Sequence, residues 1–137
     1  MATERGEGVV RALFAAHAAG RLEDVLACIH PEMIWEPEGY DARSFYVGRE
    51  GTLALLGHMA EAIGDHYVRV DEVRPTDHHD LLLLVATVVH RPDEQPLRSF
   101  AALITMRGGL VAQFEDVTDQ PETVAARVAA AAARGSQ

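Results

Sequence analysis

The sequence predicts an α+β fold: a curved antiparallel sheet wrapped around three N-terminal helices, forming a cone with an internal pocket. Three observations carry this prediction. Apolar residues recur at helical spacing as far as Ile63, the period changes to two from Tyr67 onward, and glycine and proline punctuate the boundaries. At 137 residues the chain fits one domain, residues 1–137, with no internal repeat and no linker to divide it.

Val9, Val10, Leu13, Phe14 and His17 recur at spacings of one, three and four, so they share the inward face of a helix ending near Gly20. Leu22, Val25, Leu26 and Ile29 repeat the pattern in a short second helix. Pro31 stops it, and "EMIWE" reads as a strand. A polar loop with Gly39 and Gly48 leads into a third helix over roughly residues 50 to 63, with Leu53, Leu56, Met59 and Ile63 as its stripe. The runs "YVRVDEVR", "LLLLVATVVHR", "RSFAALITM" and "LVAQFEDVT" then form a four-stranded meander, separated by DHHD, PDEQP and RGG turns. The second of these runs is apolar on both faces, since Leu82, Leu84, Ala86 and Val88 alternate with Leu81, Leu83, Val85 and Val89. Helices cover one side, and a second copy of the chain, a homodimer, is the expected cover for the other. Residues 120–137 are Ala-rich with only Val124 and Val128 as an apolar stripe, so they read as a C-terminal helix or a frayed tail.

Composition removes whole classes of function. Twelve arginines and no lysine stand against 21 acids, and the net charge of −9 repels a polyanion, so no nucleic-acid partner is expected. The absence of lysine removes Schiff-base chemistry, and the lone Cys28 excludes an internal disulfide and any multi-thiolate metal site. A reducing cytoplasm is the expected compartment. No apolar run approaches the roughly 20 residues that span a bilayer, so no membrane association is expected.

Glu36 is the residue that demands explanation, a carboxylate wedged between Trp35 and Pro37 at the end of an apolar run. It is either a solvated strand end or a group placed in a pocket on purpose. On the first helix, His17 lies one turn beyond Leu13 on the inward face, either lining the pocket or bonded to a backbone carbonyl in the core. The strand "RSFAALITM" puts Arg98, Phe100, Ala102 and Ile104 on one face and Ser99, Ala101 and Leu103 on the other. A three-residue "RGG" loop would set Phe114, Asp116 and Thr118 on the face of Ala102, Phe100 and Arg98. If only Gly108 and Gly109 turn, the pairing slips by one and Glu115 takes that face. In the first register an Arg98–Asp116 pair satisfies both charges. Tyr40, Phe45 and Tyr46 occupy the polar loop before the third helix. "DHHD", residues 77 to 80, has metal-ligand residue types, but adjacent histidines in a turn are expected to point apart, so the reading is a solvated tip. His58 and Glu61 have no second pair converging on them. No phosphate loop, metal site or cofactor is inferred.

The run "LFAAHAAGRLEDVLACIHPEMIWEP", then "YVGREGTLALL", then the closing hairpin, resembles the nuclear-transport-factor-2-like superfamily, which includes ketosteroid isomerase, SnoaL-like polyketide cyclases, scytalone dehydratase and limonene epoxide hydrolase. The resemblance covers nearly the whole chain, and one such cone hosts many activities. It implies that Glu36, the acid before proline, is a general base, that the Arg98 face points inward, and that the longer hairpin loop turns Asp116 inward. For the loop of Tyr40, Phe45 and Tyr46 it implies a place at the mouth of the pocket, where they either line it or pack the loop. It also implies departures. The isomerase's two oxyanion donors fall at Leu13 and Ala102, neither of which can donate, and the acid/base of the cyclases falls near Ala102. Phe100 stands where an epoxide hydrolase would want a second strand carboxylate. The expectation is a cofactor-free enzyme performing enolate-type cyclisation or isomerisation of a hydrophobic, ketone-bearing small molecule. Glu36 is its base, His17 or Arg98 polarises the carbonyl, Asp116 orients Arg98, and Leu13, Tyr40, Phe100, Ala102, Phe114 and Thr118 contact the substrate. The alternatives are a small-molecule-binding or dimerisation module without chemistry, and a hydrolase of the limonene epoxide type.

Overall fold

A computed structural model describes residues 2–37, 45–122 and 125. The element order is α1 (Ala2–Ala18), α2 (Leu22–Ala27), β1 (Ile29–Glu36), β2 (Tyr46–Val47), α3 (Gly48–Ile63), β3 (His66–Pro75), β4 (Leu81–His90), β5 (Gln95–Arg107) and β6 (Leu110–Asp116). One curved sheet runs in the order β2-β1-β6-β5-β4-β3, with β1 parallel to β6 and every other pair antiparallel. Tyr40 and the Ala-rich tail beyond Glu122, Ala125 excepted, lie outside the described residues.

The termination of α1 follows from Gly20, which adopts φ +73. Arg21 N–H donates to Ala16 O at 2.9 Å and Gly20 N–H to His17 O at 3.0 Å, the paired bonds that satisfy carbonyls at a helix end closed by a left-handed glycine. Val10, Leu13, Phe14 and Ala16 on α1 are buried against the inner face of the sheet, where Leu82, Leu84, Ala86, Phe100, Ile104 and Val111 meet them. On the outer face Leu83, Leu103 and Val117 form a smaller buried cluster with Leu81, Val85 and Ala101 beside it. Of the outer-face residues of β4, Leu83 and Val89 are buried within one chain, while Leu81 and Val85 are half-buried. Among the described residues no helix is long and apolar enough to cross a membrane.

Four local expectations are corrected. Leu22, placed on the inward face of the second helix, is 46% exposed, because a helix of six residues turns only Val25 fully into the core. Leu53 is also exposed, and the buried face of α3 is centred one position away on Thr52 and Leu55. A hydrogen bond at 2.8 Å from Trp35 Nε1 to Thr52 Oγ1 draws that face inward, and the same hydroxyl donates to Gly48 O at 2.8 Å. β1 starts at Ile29 and runs through Pro31, and the two-residue β2 adds an edge strand to it. Proline is tolerated there because β2 pairs with β1 only at Ile34 and Trp35, leaving the start of β1 free of that ladder.

The fourth correction concerns the β5–β6 hairpin, whose register decides which acid faces the cone. Arg107 pairs with Leu110, so Gly108 and Gly109 alone make the turn, with φ +60 and +80. That short turn would have brought Glu115 inward. A bulge cancels the slip: Met106 pairs with Val111 but Thr105 with Gln113, which leaves Ala112 as the extra residue. Ala102 then stands opposite Asp116 and Leu103 opposite Glu115. Asp116 therefore takes the inner face, although the longer loop expected to put it there does not form.

Candidate active site

The inner faces of β1, β3, β4, β5 and β6, with α1, α2 and α3, line a partly open cavity of about 60 Å³. Its walls are apolar, chiefly Leu13, Phe14, Leu55, Met59, Phe100 and Phe114, with Trp35 and Pro37 at one side. Trp35 packs tilted against Phe114 at 5.2 Å between ring centroids, and Phe114 meets Phe100 at 5.9 Å, so three aromatic rings form one continuous wall. The bond from its indole to the buried Thr52 hydroxyl fixes Trp35 in that wall. Among the described residues, the ionisable side chains on the lining are His17, Arg98 and Asp116.

Asp116 is held by three donors. Arg98 Nη2 donates to its Oδ2 at 3.1 Å, and Thr118 donates to Oδ1 through both N–H at 2.9 Å and Oγ1 at 2.6 Å. The Asp116 side chain is 4% exposed and that of Arg98 36%, so the carboxylate is the buried anchor and the guanidinium is the more exposed partner. Thr118 was expected to touch substrate. It is exposed, clamps Asp116 and accepts Ala101 N–H at 3.1 Å, because the chain leaves the sheet at Val117 and its hydroxyl folds back on the acid. Ala102 was also expected on the wall, but it is fully buried in the core opposite Asp116 and its methyl does not reach the cavity.

His17 lines the cavity one helical turn from Leu13. Burial pushes its pKa from 6.5 down to about 4, with the nearby His66 ring and the Arg91 guanidinium adding to the effect. Its Nδ1 is buried with no hydrogen-bond partner, which removes the reading of a core histidine satisfied by a carbonyl through that atom.

Glu36 is the main correction. In the parallel β1–β6 pairing Trp35 aligns with Phe114 and Glu36 with Glu115. Side chains alternate along a strand, so Trp35 and Pro37 face the cavity and Glu36 faces out, with its Oε2 accepting Gln113 Nε2 at 3.0 Å. The acid before proline is therefore not in the chamber, and its neighbour Trp35 is. The loop aromatics divide as well. Phe45 is 62% exposed, whereas Tyr46 is buried and its hydroxyl lies 2.8 Å from His58 Nδ1 on α3, so Tyr46 packs the loop. His78 and His79 stack at 4.7 Å instead of pointing apart. With Asp80 they bring possible ligand atoms within 4.8 Å of one another on an exposed turn, away from the cavity.

Sequence reasoning missed Thr52 and His66. Thr52 had a signal, a small polar residue flanking an apolar helical stripe. His66 had little, because it starts a strand directly after the Gly64-Asp65 turn.

A family profile described as a SnoaL-like domain matches residues 10–114. A search of curated proteins finds no match. Among solved structures the chain is similar to a candidate polyketide cyclase from Sinorhizobium meliloti, with 20% identity, TM-score 0.64, and 80% of this chain and 93% of that one covered. It is similar to TerC co-crystallised with polyporic acid, at 22% identity and TM-score 0.70, covering 87% and 95% of the two chains. It is also similar to a candidate ketosteroid isomerase from Kribbella flavida, at 17% identity and TM-score 0.66, covering 83% and 77%. At these identities the likeness is one of fold.

Proposed function

This chain belongs to the family of SnoaL-like domains, and from that premise we propose that it binds a hydrophobic, ketone-bearing small molecule inside the cone and moves a proton on it. The reaction is a cyclisation or isomerisation through an enolate, on a ring system of polyketide or steroid type. The observation that carries this reading is the confinement of His17, Arg98 and Asp116 to one otherwise apolar cavity. Similarity to a candidate polyketide cyclase and a candidate ketosteroid isomerase supports the substrate class.

The roles follow from charge. With a pKa near 4 the His17 imidazole is neutral at neutral pH and can accept a proton from the carbon next to the carbonyl. The C–H bond breaks, an N–H bond forms, and the electron pair moves to the carbonyl oxygen as an enolate. Arg98, oriented by Asp116, donates to that oxygen. The imidazolium is disfavoured by burial but gains an anion beside it, so it persists only while the enolate does and returns the proton to a different carbon. Glu36 has no part in this scheme.

One observation favours the binding-module alternative: both oxygens of Asp116 are already occupied by Arg98 and Thr118, as in a purely structural ion pair. Trp35, the sole tryptophan, lies in the cavity wall and provides the test. Its fluorescence should change on titration with 2-tetralone. Arg98→Met should weaken that ketone about tenfold while leaving its hydrocarbon counterpart, tetralin, unaffected. Equal affinity of wild type for the two ligands would remove the carbonyl from the account.

A further inference from the structure

Beyond the three groups on the cavity wall, a second histidine sits behind the first. His66 opens β3 and is buried, and its ring centroid lies 5.4 Å from that of His17 at an interplanar angle of 52°. His66 Nδ1 is 2.8 Å from Gly64 O. A carbonyl only accepts, so this nitrogen carries the proton, and in the neutral ring Nε2 is left as an acceptor. That Nε2 is buried and has no hydrogen-bond partner, and neither has the buried Nδ1 of His17. Two orphaned nitrogens thus occur on a pair of touching rings. Leaving both unpaired would forfeit two hydrogen bonds in a water-poor region. Each of the two unpaired nitrogens would find its missing partner in the other ring, one as donor and one as acceptor.

We propose that His66 is a positioning residue which accepts the Nδ1 proton of His17, so that the chain Gly64 O, His66, His17 holds the His17 Nε2 lone pair towards the cavity. This rests on the reading of His17 as the proton-accepting group. An unconstrained neutral imidazole favours the tautomer protonated at Nε2, which would present a donor to the substrate and could not act as the base. The relay reverses that preference. It also gives the charge formed on His17 during turnover a neutral acceptor at its back, where Arg91 supplies positive charge. Arg91 is itself tied to Ala18 O at 2.7 Å and to Asp65 at 3.2 Å, and His90, paired with His66 across the β3–β4 ladder, is engaged by Asp93 at 2.8 Å. These hydrogen bonds of Arg91 and His90 run to groups other than the His17 ring.

Nitrogen-15 NMR of the labelled full chain tests the relay without any substrate. The His17 signals are assigned by their loss in His17→Gln. The expected result is a protonated Nδ1 and an unprotonated Nε2 on His17 at pH 7, with a through-hydrogen-bond coupling between His17 Nδ1 and His66 Nε2. A His17 protonated at Nε2 in the wild type overturns the proposal, whether or not any variant folds. In His66→Phe, which keeps a ring in place, His17 should revert to the Nε2–H tautomer. The rate of α-proton exchange on 2-tetralone should then drop about tenfold while its affinity, read from Trp35, stays unchanged. If wild type shows no exchange at all, the proposed reaction fails, and the tautomer still decides the relay.

Discussion

Arg98 Nη2 donates to Asp116 Oδ2 at 3.1 Å across the β5–β6 ladder, and the residue that sets the register for this is Ala112, four positions before the acid. Without the extra residue at that bulge the two-glycine turn would carry Glu115 to the inner face and Asp116 to the outer one. Deleting Ala112 should therefore do more than shorten a strand. The variant should lose the Arg98 pair and force an unpartnered Glu115 towards apolar walls, with a loss of several kcal/mol on the scale of a buried unpaired charge. Urea denaturation compared with deletion of Gly109, in the turn itself, measures it. Equal, small losses for both deletions would mean that the bulge does not set the register.

The anchoring of Trp35 is testable separately. Thr52→Val keeps the shape and removes the acceptor for a buried indole N–H, so it should cost about 1–3 kcal/mol. Chemical denaturation gives the value, and a red shift of the Trp35 emission should accompany it as the indole loosens towards the cavity.

Acid should destabilise the protein through His17. Its pKa is lowered in the fold from 6.5 to about 4, so between those values the unfolded chain binds a proton that the native chain does not, and stability rises with pH across that window. The contribution is complete above pH 6.5 and is lost as pH falls towards 4. Its size is at most about 3 kcal/mol, reduced by solvent entering the cavity. Urea midpoints of wild type and His17→Gln measured from pH 7 to pH 4 check it, the variant showing the shallower decline.

Glu36→Gln should leave both ligand affinity and any turnover within about twofold of wild type, since the side chain faces Gln113 on the outer surface. A fall of a hundredfold in exchange rate would return the acid before proline to the centre of the mechanism.

The helices, the meander and the inward face of β5 were legible because periodicity reports burial directly: Leu13, Phe14 and Phe100 face the cavity as their spacing predicts. The neighbour Pro37 says nothing about which face Glu36 occupies, whereas the alternation of the strand does. Trp35 lines the wall and aligns with Phe114, so Glu36 had only the other face to occupy. The hairpin register was undecidable from sequence, since a bulge at Ala112 has no marker of its own beside two permissive glycines. His66 was invisible for a different reason. Its meaning depends on a ring 49 positions away, which only packing of α1 on β3 brings near.

The most direct test of the proposed chemistry is the rate at which the α protons of a series of cyclic ketones, from cyclohexanone to 2-tetralone, exchange into D2O, followed by proton NMR with wild type, His17→Gln and Glu36→Gln. Exchange well above the buffer rate with wild type and Glu36→Gln, reduced at least about a hundredfold in His17→Gln with ligand affinity unchanged, is the predicted result. Exchange at the buffer rate for every ketone that quenches Trp35 would contradict it and leave a chamber that binds without catalysing.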